Sequence, residues 1–100
     1  MKRSEAYIEE ISKKFRMSPA TAKAVYEAIN KYDSDMFCSQ MGDYDHPEER
    51  EAAEKKLNSF KNCYSETFQK VINQVQDFMK ADENYNIHKM NEEMEEPQNV

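Results

Sequence analysis

Residues 47–81 read PEEREAAEKKLNSFKNCYSETFQKVINQVQDFMKA, with no Gly and no Pro after the first position. Apolar side chains recur at Ala53, Leu57, Phe60, Tyr64, Phe68, Val71, Val75 and Phe78. The seven steps between them cover 25 residues, an average of about 3.6, which is the α-helical period. Pro47 suits a first helical position, where the missing N–H would have had no acceptor. Glu48, Glu49 and Glu51 sit favourably against the positive end of a helix dipole. The pattern predicts one helix over 47–81, about 50 Å long at 1.5 Å per residue. Weak helix formers cluster at Asn58-Ser59 and from Asn62 to Ser65, and these are the two places where it could break.

Upstream of this stretch, Gly42-Asp43-Tyr44-Asp45-His46-Pro47 holds the chain's one Gly and is its clearest loop signal. Before the loop, Ser18-Pro19 opens a helix expected over 19–40, with Ala22, Val25, Ala28, Ile29, Tyr32 and Met36 on one face and Asp33-Ser34-Asp35 as its weak point. At the N-terminus, Ser4 as a cap and Tyr7, Ile8, Ile11 and Phe15 as a stripe predict a helix over 4–16. Residues 82–100 have no stripe, six acids, four Asn and a Pro, and read as a flexible acidic tail. The expected fold is all-α: a single helical domain at 1–81, in which an N-terminal helical hairpin packs on one long C-terminal helix. A hairpin leaves part of so long a stripe uncovered, so a homodimer is expected to cover the rest.

Composition supports one small core. The chain has 100 residues and 11.9 kDa, with only 15 Leu, Ile, Val and Phe in total, a deficit partly made up by seven Met and six Tyr. One Gly and three Pro argue against a turn-rich β fold. The net charge of −6 is unevenly placed: +3 over residues 1–32, −4 over 33–81 and −5 over 82–100. A basic nucleic-acid-binding domain is therefore not indicated, although a local basic face on the first third is compatible with these counts. The apolar run Met36-Phe37-Cys38 is as long as any in the chain, so neither a membrane span nor a signal-peptide core is expected. Cys38 and Cys63 lie 25 apart without a CxxC, which fits a reducing cytoplasm and reads as two small buried residues on helix faces.

Few residues carry chemistry. Asp43, Asp45, His46, Glu48 and Glu49 could bind a metal, but Asp45 and His46 before Pro47 are also what a helix entrance uses as a cap, and capping is the reading adopted. His88 lies in the tail and reads as exposed. With one Gly, two isolated His and no phosphate-cradling motif, the chain has little from which to build an oxyanion hole or a nucleotide site. No enzyme, metal or cofactor is expected.

Residues 7–29 offer two further readings. Tyr7-Ile8, Ile11-Ser12, Lys14, Met17-Ser18, Ala22-Lys23-Ala24-Val25 and Glu27-Ala28-Ile29 resemble the N-terminal helical hairpin of the HU and integration host factor family. The resemblance implies a hairpin that helps build a dimer body. It covers about a quarter of the chain and omits the family's DNA-holding β-ribbon arms, because nothing after Tyr32 has strand alternation or a basic arm with an apical Pro. The same segment can be read as a helix-turn-helix, with Phe15-Arg16-Met17 as the turn and Lys13, Lys14, Arg16, Thr21 and Lys23 as the nucleic-acid-binding residues. A recognition helix beginning Pro19-Ala20-Thr21-Ala22-Lys23 offers little to base edges, which favours a plain core hairpin.

A surplus of Met and aromatic residues lies outside the stripes. Met36, Phe37, Met41 and Tyr44 fall between Asp33, Asp35, Asp43 and Asp45. They either cap the core or form an apolar patch with an acidic rim, a surface suited to a protein partner with a basic face. The functional expectation is a non-catalytic interaction protein: a regulator or inhibitor, of the sort phages and mobile elements make, that binds a basic surface of a nucleic-acid-handling protein. The competing expectation is a DNA-associated regulator that uses the basic N-terminal third.

Overall fold

The structure is a computed structural model, and it describes residues 3–40 and 46–82. The expected tail beyond Asp82, and the loop residues Met41, Gly42, Asp43, Tyr44 and Asp45, lie outside the described residues. Four helices follow in order: α1 (Arg3–Lys14), α2 (Pro19–Ser39), α3 (Pro47–Asn62) and α4 (Glu66–Ala81). The described residues form no strand, and no described helix is long and apolar enough to cross a membrane.

Helix α1 begins at Arg3, so Ser4 lies within its first turn rather than capping it. It ends two residues before the expected Arg16, in a turn whose hydrogen bonds explain the stop. Arg16 takes a left-handed backbone, φ 54°, and the Met17 N–H donates to the Ser12 carbonyl at 3.0 Å. This six-residue closure is the Schellman motif. The Ser12 hydroxyl also donates to the Met17 carbonyl at 2.6 Å, pinning the turn from its other side. Met17 packs on the core, the apolar contact that usually accompanies such a turn. Ser18 then caps α2: its Oγ accepts from the Thr21 N–H at 3.2 Å, and Pro19 occupies the first helical position. The Asp33-Ser34-Asp35 segment, read as a weak point, is continuous helix, and Lys31 donates to Asp35 one turn on at 2.8 Å.

The single helix expected over 47–81 is two helices. The break falls at Cys63-Tyr64-Ser65, within the second of the two weak places in the sequence. Ser65 stops propagation because its Oγ accepts from the Phe68 N–H at 3.2 Å, which caps a new helix instead of extending the old one. The Gln69 side chain reaches back to the Tyr64 carbonyl at 3.0 Å, giving that freed acceptor a donor. At the corner Phe60, Tyr64 and Phe68 form an aromatic row, with centroids 5.3 and 4.9 Å apart.

Helix α2 lies at the centre and contacts the other three. The core comprises Tyr7 and Ile11 of α1; Ala22, Val25, Tyr26 and Ile29 of α2; Leu57 of α3; and Ile72, Val75 and Met79 of α4. Two features of the stripe differ from the sequence reading. In α4 the deepest residues are Ile72, Val75 and Met79, while Val71 and Phe78 are only partly buried at the flank. In α2 Tyr26 is buried beside Val25, and Ala28, Tyr32 and Met36 stay partly exposed. Both shifts follow from packing against elements on two sides, which widens a helix's buried arc beyond a single row. Although α1 and α4 are distant in sequence, their aromatic side chains join them. Tyr7 stacks on Phe78 at 6.0 Å and meets Tyr26 edge-on at 5.8 Å, and Phe15 meets Phe78 edge-on at 5.7 Å.

Candidate partner-binding surface

The C-terminal half of α2 carries the described part of the expected patch. A residue four positions on lies over its predecessor on a helix, whereas one two positions on points to nearly the opposite side. Asp33 and Phe37 therefore share one face, and Asp35 belongs to another. The structure agrees with this division. Asp35, Cys38, Glu49, Ala52, Ala53 and Lys56 line a shallow cleft of about 290 Å³ between α2 and α3. Met36 is half-buried, and Phe37 stands in solvent, 62 % exposed. Of the eight residues expected to bind a partner, the structure describes four. Met41, Asp43, Tyr44 and Asp45 lie outside the described residues, and of the other four Asp35 lines the cleft while Phe37 stands in solvent.

Local geometry explains each placement. Ser39, fully buried, donates its hydroxyl to the Met36 carbonyl at 2.7 Å, and its own carbonyl accepts from the His46 N–H at 2.9 Å. The first bond lies within α2, and the second ties the start of α3 to the last turn of α2. Lys31 is raised above its ordinary pKa by its hydrogen bond to the Asp35 carboxylate and by that carboxylate's charge. Tyr32, facing Glu54 and Asp33, is also raised, first by burial and then by those two charges.

The remaining expected residues are placed as follows. His46 occupies the N-cap of α3 but makes no side-chain capping bond, so the expected capping holds for its position and not for its imidazole. Glu48 and Glu49 occupy the first turn of α3, where the dipole favours them. No three of the described His, Cys, Asp and Glu side chains are grouped to hold a metal ion. Cys38 and Cys63, read as buried, are both exposed: Cys38 opens onto the cleft, and Cys63 sits at the helix corner with its thiol directed to the Ser59 carbonyl at 3.4 Å.

On the basic side, Thr21 is committed to the helix cap, where its hydroxyl accepts from Ser18 at 2.9 Å. The Lys14 ammonium stands 5.2 Å from the centre of the Phe78 ring, and Lys23 pairs with Glu27 at 3.9 Å. Lys13 and Arg16 are exposed beside the α1–α2 turn. No single signal in the sequence marked the α2–α3 cleft, because it depends on how α3 packs against α2. Comparison with protein-family models, with curated proteins and with solved structures returns no match to this chain.

Proposed function

We propose that this protein is a non-catalytic helical interaction protein that binds a partner of basic surface, as a regulator or inhibitor of a nucleic-acid-handling protein. The observation that carries the reading is Phe37. The chain has only five Phe, and Phe15, Phe60, Phe68 and Phe78 all pack on the core, while Phe37 is held in solvent. A small core with few large apolar residues gains from each one it can bury, at about 1.5–3 kcal/mol per side chain. Leaving one out is the mark of a contact made with another molecule, and buried aromatic anchors are what dominate such contacts. Asp33 one turn back supplies a carboxylate on the same face, which selects a cationic surface and disfavours a polyanion.

The test compares immobilised wild-type protein with an Asp33→Lys, Phe37→Ala variant against a lysate of the native host. A basic protein retained by the wild type, released by salt and absent from the variant supports the reading. Equal retention by both, or retention of nothing by either, rejects it. The nucleic-acid reading makes the opposite forecast: a mobility shift with mixed DNA at low salt that is lost on changing Lys13, Lys14, Arg16 and Lys23 and is indifferent to Asp33 and Phe37.

A further inference from the structure

We propose that the α2–α3 cleft receives Phe37 from a second copy of this chain, so that copies join head to tail. The proposal rests on the reading of Phe37 as a contact anchor and names a further occupant for that anchor. Among the described residues Phe37 is the one large apolar side chain that is exposed. The same molecule carries a hollow of about 290 Å³, lined in part by the Ala52 and Ala53 side chains and the Cys38 thiol. Ala53 is buried and Ala52 exposed, so the hollow is closed beneath and open from outside. Pockets that enclose free ligands begin at about 300 Å³. A shallow hollow at that limit suits one inserted side chain.

Charge fits the same occupant. The cleft has an acidic end at Glu49 and a basic end at Lys56, separated along α3 by about 10 Å at roughly 1.5 Å per residue. Its other carboxylate, Asp35, already holds Lys31 at 2.8 Å. Asp33 lies one turn back from Phe37 on the same face. A copy that inserts Phe37 with Asp33 toward Lys56 therefore sets a carboxylate against an ammonium. Phe37 and the cleft residue Asp35 lie on different faces of α2, so a pair of copies makes the contact once rather than reciprocally. One copy keeps an open cleft and the other a free Phe37, the arrangement that extends head to tail. This is distinct from the dimer expected to cover the apolar stripe. One Phe side chain buries about 150–250 Å², well below the roughly 1,200 Å² at which standard interfaces begin. The contact is accordingly weak and is populated toward millimolar concentration.

The experiment follows the exposed thiol of Cys38 in the cleft, and separately that of Cys63 at the helix corner, by their rates of alkylation with a fixed excess of iodoacetamide. The full chain is labelled at about 10 μM and about 1 mM, a span that brackets a weak contact. In the wild type Cys38 should react about twofold more slowly at the higher concentration, the loss expected when half the clefts are occupied. Two variants divide the contact. Phe37→Ala removes the inserted side chain, and Ala52→Trp fills the cleft from an exposed position, where substitution costs the fold little. Neither should show the slowing by itself. Excess Ala52→Trp, which keeps Phe37, should protect Cys38 of Phe37→Ala, and more Phe37→Ala should not. A wild-type rate independent of concentration overturns the proposal. So does a Phe37→Ala protein that slows like the wild type, or an Ala52→Trp protein that fails to protect it. Slowing at Cys63 alone puts the contact at the aromatic corner and overturns it too. No host partner is present, so failure here leaves the basic-partner reading to its own retention test. Protection of Cys38 in a protein that retains no partner makes the second copy the occupant of the anchor.

Discussion

Arg16 adopts a left-handed backbone, at φ 54°, in the position where helices most often end on Gly. For a residue with a Cβ that conformation costs roughly 1–2 kcal/mol, and Gly gives back part of the gain through its freer unfolded chain. Arg16→Gly should therefore stabilise the protein by about 0.5–1 kcal/mol, seen as a rise of roughly 3–6 °C in Tm for a domain of this size. A fall in Tm would show that the arginine side chain contributes more than its backbone costs. Tyr7 makes the second prediction at this scale. Burial, then the charge and hydrogen bond of Asp82, hold its phenol neutral well above the ordinary Tyr pKa of 10.0. Below that value both folded and unfolded chains keep Tyr7 neutral, so its contribution is intact. As the pH rises above it, the unfolded chain ionises first, and stability falls by about 1.4 kcal/mol per pH unit until the folded pKa is reached. Thermal melts from pH 9 to 11 should show this decline, and Tyr7→Phe should flatten it.

Among the elements, the α3–α4 corner is decided by capping rather than by period. The apolar recurrence from Ala53 to Phe78 has no gap at Tyr64, yet the helix stops there because Ser65 caps a new one. Ser65→Ala should cost about 1 kcal/mol by urea denaturation, the usual loss for an N-cap. The inward face of α4 gives a sharper check of its rotation. Ile72 is fully buried and Val71 only partly. Ile72→Ala should cost about 2–4 kcal/mol, and Val71→Ala roughly 1 kcal/mol. Equal losses would mean that α4 presents its flank to the core.

For the whole molecule, breaking the helix changes what covers its stripe. Folded back at residues 63–65, α3 and α4 both pack on α2, and Ile72, Val75 and Met79 close a core within one chain. The half-buried row Phe60, Tyr64 and Phe68 is what a second copy would cover, and the homodimer is proposed on that basis. Light scattering coupled to size exclusion should then give twice the chain mass of 11.9 kDa at micromolar concentration. The chain mass itself across a hundredfold dilution range would remove the dimer.

The all-helical class, the Ser18-Pro19 start of α2 and the faces holding Tyr7, Ile11, Val25, Ile29 and Leu57 were determined by the sequence alone. They rest on i to i+4 spacing, capping side chains and a lack of Gly, all local in the chain. The placement of Asp33 and Phe37 on one side of α2 and of Asp35 on another was legible too, because helical geometry separates residues two apart, although a reading by proximity in sequence groups them. Tertiary structure decided the rest. The Ser65 cap fixes where the chain can bend, but whether it bends or continues there depends on whether folding back buries more apolar surface than the lost helical bonds are worth. The choice of Ile72 and Met79 over Val71 and Phe78 for the deepest positions depends on where α2 lies. The exposure of Cys38 depends on the angle at which α3 returns, and the meeting of Tyr7, Phe78 and Asp82 joins residues some seventy positions apart, which no local pattern encodes.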